Sequence, residues 1–132
     1  MLKPASDAAI VVCSTCRLTE TERENEEGKR GGALLAEALR AEAAKRDGPI
    51  AIEDMPCLFA CSRWCTVHLR ADGKISYVLG GFEPTAEAAT AILDYFEHYL
   101  ASEHGVVPYR NWPEGVKGHF ITRSPPSGKV VG

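Results

Sequence analysis

No stretch of this sequence approaches the run of about eighteen apolar residues that a membrane-spanning helix needs. A basic excess is missing too: Lys and Arg number 15 against 18 Asp and Glu, for a net charge of −3. A phosphate-neutralising surface, and with it a nucleic-acid partner, is therefore not expected. Histidine is scarce, and His68, His98, His104 and His119 show no metal-ligand spacing to the cysteines. The opening "MLKPASDAAIVVCS" has an apolar run too short for a signal-peptide core, with a charge and a proline badly placed for one. These absences predict a cytoplasmic chain with reduced thiols and no membrane partner.

What the chain does have is cysteine, in two tight groups. "VVCSTCR" holds Cys13 and Cys16, and "PCLFACSRWCT" holds Cys57, Cys61 and Cys65 at four-residue intervals. Five is an odd count, which a closed disulfide framework would leave unpaired. A length of 132 residues suits one domain with a core of its own, so disulfide staples are not needed.

The order of elements places these thiols. "AAIVV" before Cys13 is a short, β-branched buried strand. A polar, charge-rich loop, "STCRLTETERENEEGKRGG", leads to a helix from Gly32 with Leu34, Leu35, Ala38 and Leu39 on one stripe. "RDGP" stops that helix, and "IAIEDM" is a second strand. Beyond the second cysteine group, Cys65, Val67 and Leu69 alternate with polar residues, and "ADGK" turns the chain into the return strand "KISYVLG". Thr85 caps a second helix, whose buried stripe is predicted as Ala89, Ile92, Phe96, Tyr99 and Leu100, with Gly105 as its end. The tail from residue 105 is rich in proline and glycine and is predicted to be irregular.

This β-α-β-β-β-α order predicts an α/β fold: one mixed sheet of about four strands carrying both helices, the minimal thioredoxin-like arrangement. The first two strands are parallel, so both cysteine groups leave the same edge of the sheet and can converge. Three chemistries use such thiols. Dithiol exchange through Cys13-x-x-Cys16 is disfavoured by the long charged loop between Cys16 and the helix, which keeps the helix dipole away in sequence. Zinc and a [2Fe–2S] cluster both accept four thiolates from two loops, and spacing does not separate them.

The segment "CLFACSRWCTVHLRADGKISYVLGGFEP" resembles the second half of the thioredoxin-like [2Fe–2S] ferredoxins. Those proteins carry a C-x3-C pair after a strand, an Asp-Gly hairpin, and a cysteine directly after the first strand, as Cys13 is here. Two departures stand out. The family's first-loop cysteines are about ten residues apart, against two residues between Cys13 and Cys16, and the glycine-proline after its C-x3-C pair is Trp64-Cys65 here. "VCSTCR", "CLFACSRWCTVHL", "GKISYVLGGFEP" and "GVVPYRNWPEGVKGHFITRSPP" are together similar to a bacterial family labelled predicted metal-binding or (2Fe–2S) ferredoxin-like, whose genes often neighbour those of cobalamin synthesis or cobalt handling.

These resemblances imply a cluster held by Cys13, Cys16, Cys57 and Cys61, with Cys65 as core filler or an alternate ligand. They imply a one-electron carrier or redox sensor rather than an enzyme, with a redox partner protein and a homodimeric state. Residues 1–104 would form the cluster-binding domain, and residues 105–132 an extension packing on it or on a partner subunit. Arg17 and Arg63 stand beside ligands and would offset cluster charge or face the acidic loop; Leu58, Phe59 and Trp64 are candidates for its dry shell. A zinc- or cobalt-binding module built from the same cysteines is the alternative, and a thiol–disulfide oxidoreductase the third reading.

Overall fold

The computed structural model describes every residue other than Met1, Lys3, Pro4, Cys61 and Ser62. The β-branched run before the first thiol forms strand β1 (Ala9–Cys13), buried along its whole length. Burial on both faces follows from its place inside the sheet. Strand β2 (Ile52–Met55) lies parallel on one side of it, Ile10 opposite Ile52 and Cys13 opposite Met55. Strand β3 (Val67–Arg70) lies antiparallel on the other, Val12 opposite Val67. The Asp-Gly turn then returns the chain into β4 (Ser76–Leu79), with Gly73 at φ +73°, where glycine carries no Cβ penalty.

The sheet has five strands, in the order β2-β1-β3-β4-β5, where about four were expected. The fifth is β5 (Phe120–Ser124), drawn from the tail expected to be irregular. It pairs antiparallel with β4, Tyr77 opposite Arg123 and Val78 opposite Thr122, and so covers an edge that β4 would otherwise leave open. Its sequence, "FITRS", lacks a clear apolar–polar alternation and is too closely flanked by proline and glycine to announce a strand.

Helices α1 (Gly31–Ala43) and α2 (Ala86–Ala101) pack against each other and over one side of the sheet. The strand residues in their shared core have one parity: Ile10 and Val12, Val67 and Leu69, Tyr77 and Leu79. Each fully buried Leu or Ile there stabilises the fold by roughly 1.5–3 kcal/mol. Thr85 caps α2 by accepting from the Ala88 N–H at 3.2 Å. The helix stops at Ala101, four residues before Gly105, and Leu100 is exposed; Leu93 and Tyr95 fill the stripe instead.

The tail lies against this same core. Val116 is fully buried, and the rings of Trp112 and Phe120 meet Tyr95 at 6.0 and 5.3 Å between centroids. The Trp112 Nε1–H donates to the Val107 carbonyl at 2.8 Å, which satisfies its one polar atom.

Candidate functional site

Parallel pairing brings the ends of β1 and β2 to one rim. There the two loops are stitched together: the Ser14 N–H and hydroxyl donate to the Met55 carbonyl at 2.9 and 3.2 Å, and the Thr15 hydroxyl donates to the Pro56 carbonyl. On the other flank the Cys13 N–H donates to the Thr66 carbonyl at 3.0 Å. Cys13, Cys16 and Cys57 consequently line a single cleft of about 320 Å³. Cys61 lies outside the described residues. Cys65 does not line the cleft; it is fully buried in the main core, and its thiol donates to the Arg17 carbonyl at 3.5 Å.

The thiols differ in character. A hydrogen bond from Cys16 holds the Cys13 thiol well below its ordinary range; burial opposes this, and backbone N–H groups of Leu58 and Thr15 add to it. The Leu58 contribution comes from the second cysteine loop, so that loop already serves the first group's sulfur. Cys16 moves in the opposite direction, because its proton is shared with Cys13 and because it is buried; its Sγ lies 3.2 Å from the Thr66 hydroxyl. Cys65 is pushed up to about 12, chiefly by burial and then by the Cys13 charge. The half-buried Cys57 accepts from the Phe59 N–H at 3.3 Å.

The loop after Cys16 corrects one expectation. Its length in sequence does not carry α1 away from the first cysteine pair, because residues 17–30 fold back and set the start of the helix against the backbone of Cys13 and Cys16. The Gly32 N–H donates to the Cys16 carbonyl at 3.2 Å. A Cβ on Gly32 would lie 1.8 Å from the Cys13 carbonyl oxygen, and one on Gly31 would lie 2.3 Å from that of Arg17. Only glycine permits this approach. The Gly31-Gly32 pair was the signal in the sequence that the loop returns.

Four arginines, Arg17, Arg23, Arg30 and Arg63, line the same cleft. Arg17 and Arg63 were legible as neighbours of cysteines; Arg23 and Arg30 arrive only through the fold-back. The Arg30 guanidinium donates to the Thr15 carbonyl at 3.1 Å, and that of Arg63 to the carbonyls of Gly80 and Gly118 at 3.4 and 3.3 Å. Of the candidate shell residues, Trp64 packs against the core, whereas Phe59 is 92% exposed and shields nothing. Phe59 and Cys65 both have positive φ, 55° and 48°, a conformation that costs a non-glycine residue about 1–2 kcal/mol.

The donor chemistry suits a thiolate-bound centre: soft sulfur ligands, one of them favoured as thiolate, with backbone N–H groups aimed at sulfur. Among the described residues, no three Cys, His, Asp or Glu side chains are gathered closely enough to hold a metal ion. Cys16 bonds both Cys13 and the Thr66 hydroxyl, Cys57 accepts from its own loop backbone, and Cys61 lies outside the described residues.

Among solved structures, the chain is similar to the thioredoxin-like [2Fe–2S] ferredoxin from Aquifex aeolicus, with 19% identity and a TM-score of 0.54 over 96% of this chain and 100% of that one. At that identity the likeness shows the fold, an α/β thioredoxin-like architecture. No curated protein matches the sequence. Residues 10–126 match the model of the family described as "Protein of unknown function (DUF1636)", and the chain belongs to that family.

Proposed function

We propose that this protein is a one-electron carrier whose [2Fe–2S] cluster is held by Cys13, Cys16, Cys57 and Cys61. The observation that carries this reading is that Cys13, Cys16 and Cys57 line one cleft at the ends of two parallel strands. The fold shared with a protein described as a [2Fe–2S] ferredoxin supports it. Cys61, four positions after Cys57 in the sequence, is the proposed fourth ligand. When bound, such a cluster accepts and returns single electrons.

The chain's own residues have identifiable tasks. N–H groups of Leu58 and Thr15 stabilise negative charge on the Cys13 sulfur, and donors to sulfur raise a cluster's potential. Arg17, Arg23, Arg30 and Arg63 place positive charge around an anionic centre. Cys65 belongs to the packing rather than to the ligand set.

The test is a purification under nitrogen from iron-replete cells. Visible charge-transfer bands bleached by dithionite, with iron and acid-labile sulfide in equal amounts, are the expected result. Colourless protein holding zinc, or blue-green protein holding cobalt, would replace this reading with that of a cysteine-ligated metal module.

A second reading is favoured by a specific contact, the start of α1 against the backbone of Cys13 and Cys16. In it the Cys13 thiolate attacks a partner disulfide and displaces one partner thiolate. Cys16 then attacks the mixed disulfide, leaving a Cys13–Cys16 disulfide and a reduced partner. Metal-free protein that reduces insulin would favour it.

A further inference from the structure

The arginines of the cleft outnumber what their neighbours neutralise. The chain is net acidic, and five glutamates lie between residues 20 and 27 on the loop that carries Arg23. Yet among the described residues no carboxylate lines the cleft, and none lies within ion-pair distance of Arg17, Arg23, Arg30 or Arg63. Two of the four, Arg30 and Arg63, are half-buried and fixed by backbone carbonyls; Arg17 and Arg23 stand exposed at the rim. Guanidinium groups held this way lose little further freedom on meeting a carboxylate, and their forked donors fit it.

Next in the chain to this lining stands Phe59. It is 92% exposed, has φ +55°, donates its N–H to the Cys57 sulfur, and lies between Cys57 and Ala60, which both line the cleft. A bulky residue in this conformation, turned to water, stabilises nothing in the free chain. An exposed aromatic at the edge of a cleft lined by four arginines is the composition of a protein–protein hot spot, not of a small-molecule pocket, which would bury its ring.

We infer that Phe59 and the ring of Arg17, Arg23, Arg30 and Arg63 form the docking face for a protein partner whose matching surface is acidic around an apolar centre. The inference rests on the proposed redox role only in naming that partner as the one that exchanges electrons with the cleft. Charge complementarity at the rim steers encounter, and burial of the Phe59 ring supplies the anchor.

The probe is a fluorescein-labelled peptide of glutamates around a central leucine, titrated by anisotropy into the full chain, both as purified and after iron loading. The expected result is saturable binding that weakens with salt and is absent for the corresponding lysine peptide. Phe59→Ala and the double variant Arg17→Gln/Arg23→Gln should each weaken binding about tenfold with unchanged thermal melts. Arg110→Gln/Arg123→Gln, at two arginines that do not line the cleft, should bind like the parent. No binding, or equal binding by all variants, overturns the proposal. So does a double variant that changes iron content or potential while leaving binding intact, since the arginines would then serve the metal centre alone. Arginine- and Phe59-dependent binding by a protein that stays iron-free after loading would preserve the docking face and remove the cluster reading.

Discussion

Gly32 is pressed against Cys13: a Cβ at position 32 would come within 1.8 Å of the Cys13 carbonyl oxygen, and 2.9 Å of its carbon. Through this contact the first turn of α1, the end of β1 and the Cys16 carbonyl form one unit. Gly32→Ala must push the helix or the loop aside. The expected cost is about 3 kcal/mol, with loss of whatever metal the cleft holds, measured by denaturant unfolding and metal analysis of the same sample. An alanine variant as stable as the parent would mean that the helix start does not define the site.

A second prediction concerns the aromatic floor of the core. The Tyr99 hydroxyl donates to the Ile75 carbonyl at 2.6 Å, and the residue is fully buried. Burial, with the nearby Tyr77 charge, raises its pKa from 10.0 to about 12, against an opposing effect of the Ala71 backbone. The folded state therefore holds this proton more tightly than the unfolded chain does. Its contribution to stability is complete below pH 10 and is lost as the pH rises from about 10 to about 12. Thermal melts should fall through that window. Tyr99→Phe should flatten the fall while lowering stability at neutral pH by about 1 kcal/mol, because the hydrogen bond is gone.

The tail makes the third prediction. Phe120 touches the rings of Tyr77, Tyr95 and Trp112, at 5.6, 5.3 and 4.5 Å between centroids. Trp112 closes the same group against α2. Phe120→Ala or Trp112→Ala should each cost about 2–3 kcal/mol, with loss of near-ultraviolet circular dichroism across the aromatic cluster. If either variant melts like the parent, the tail does not belong to the core.

Much of this architecture is visible in the residues themselves. "AAIVV" ending at Cys13, the Asp72-Gly73 turn and Thr85 as a cap each carry a local physical signal, and each element forms where that signal stands. Connection rules then place Cys13 and Cys57 at one rim. What local signals do not carry is long-range return. β5 exists because β4 offers an edge, not because "FITRS" demands a strand. Arg23 and Arg30 join the cleft because Gly31 and Gly32 let residues 17–30 fold back, and no spacing rule encodes that. Leu100 fits the helical stripe but sits at the last turn, beyond the sheet's cover, and stays exposed.

The most direct test of the central claim is iron and acid-labile sulfide content across five single Cys→Ser variants, with electron paramagnetic resonance after reduction. The account predicts that Cys13→Ser, Cys16→Ser, Cys57→Ser and Cys61→Ser each lose the bound cluster or alter its spectrum. Cys65→Ser, changed only in the core, should keep the parent spectrum at reduced thermal stability. A parent protein free of iron when prepared without oxygen, or a Cys65→Ser variant that alone loses it, would contradict the account.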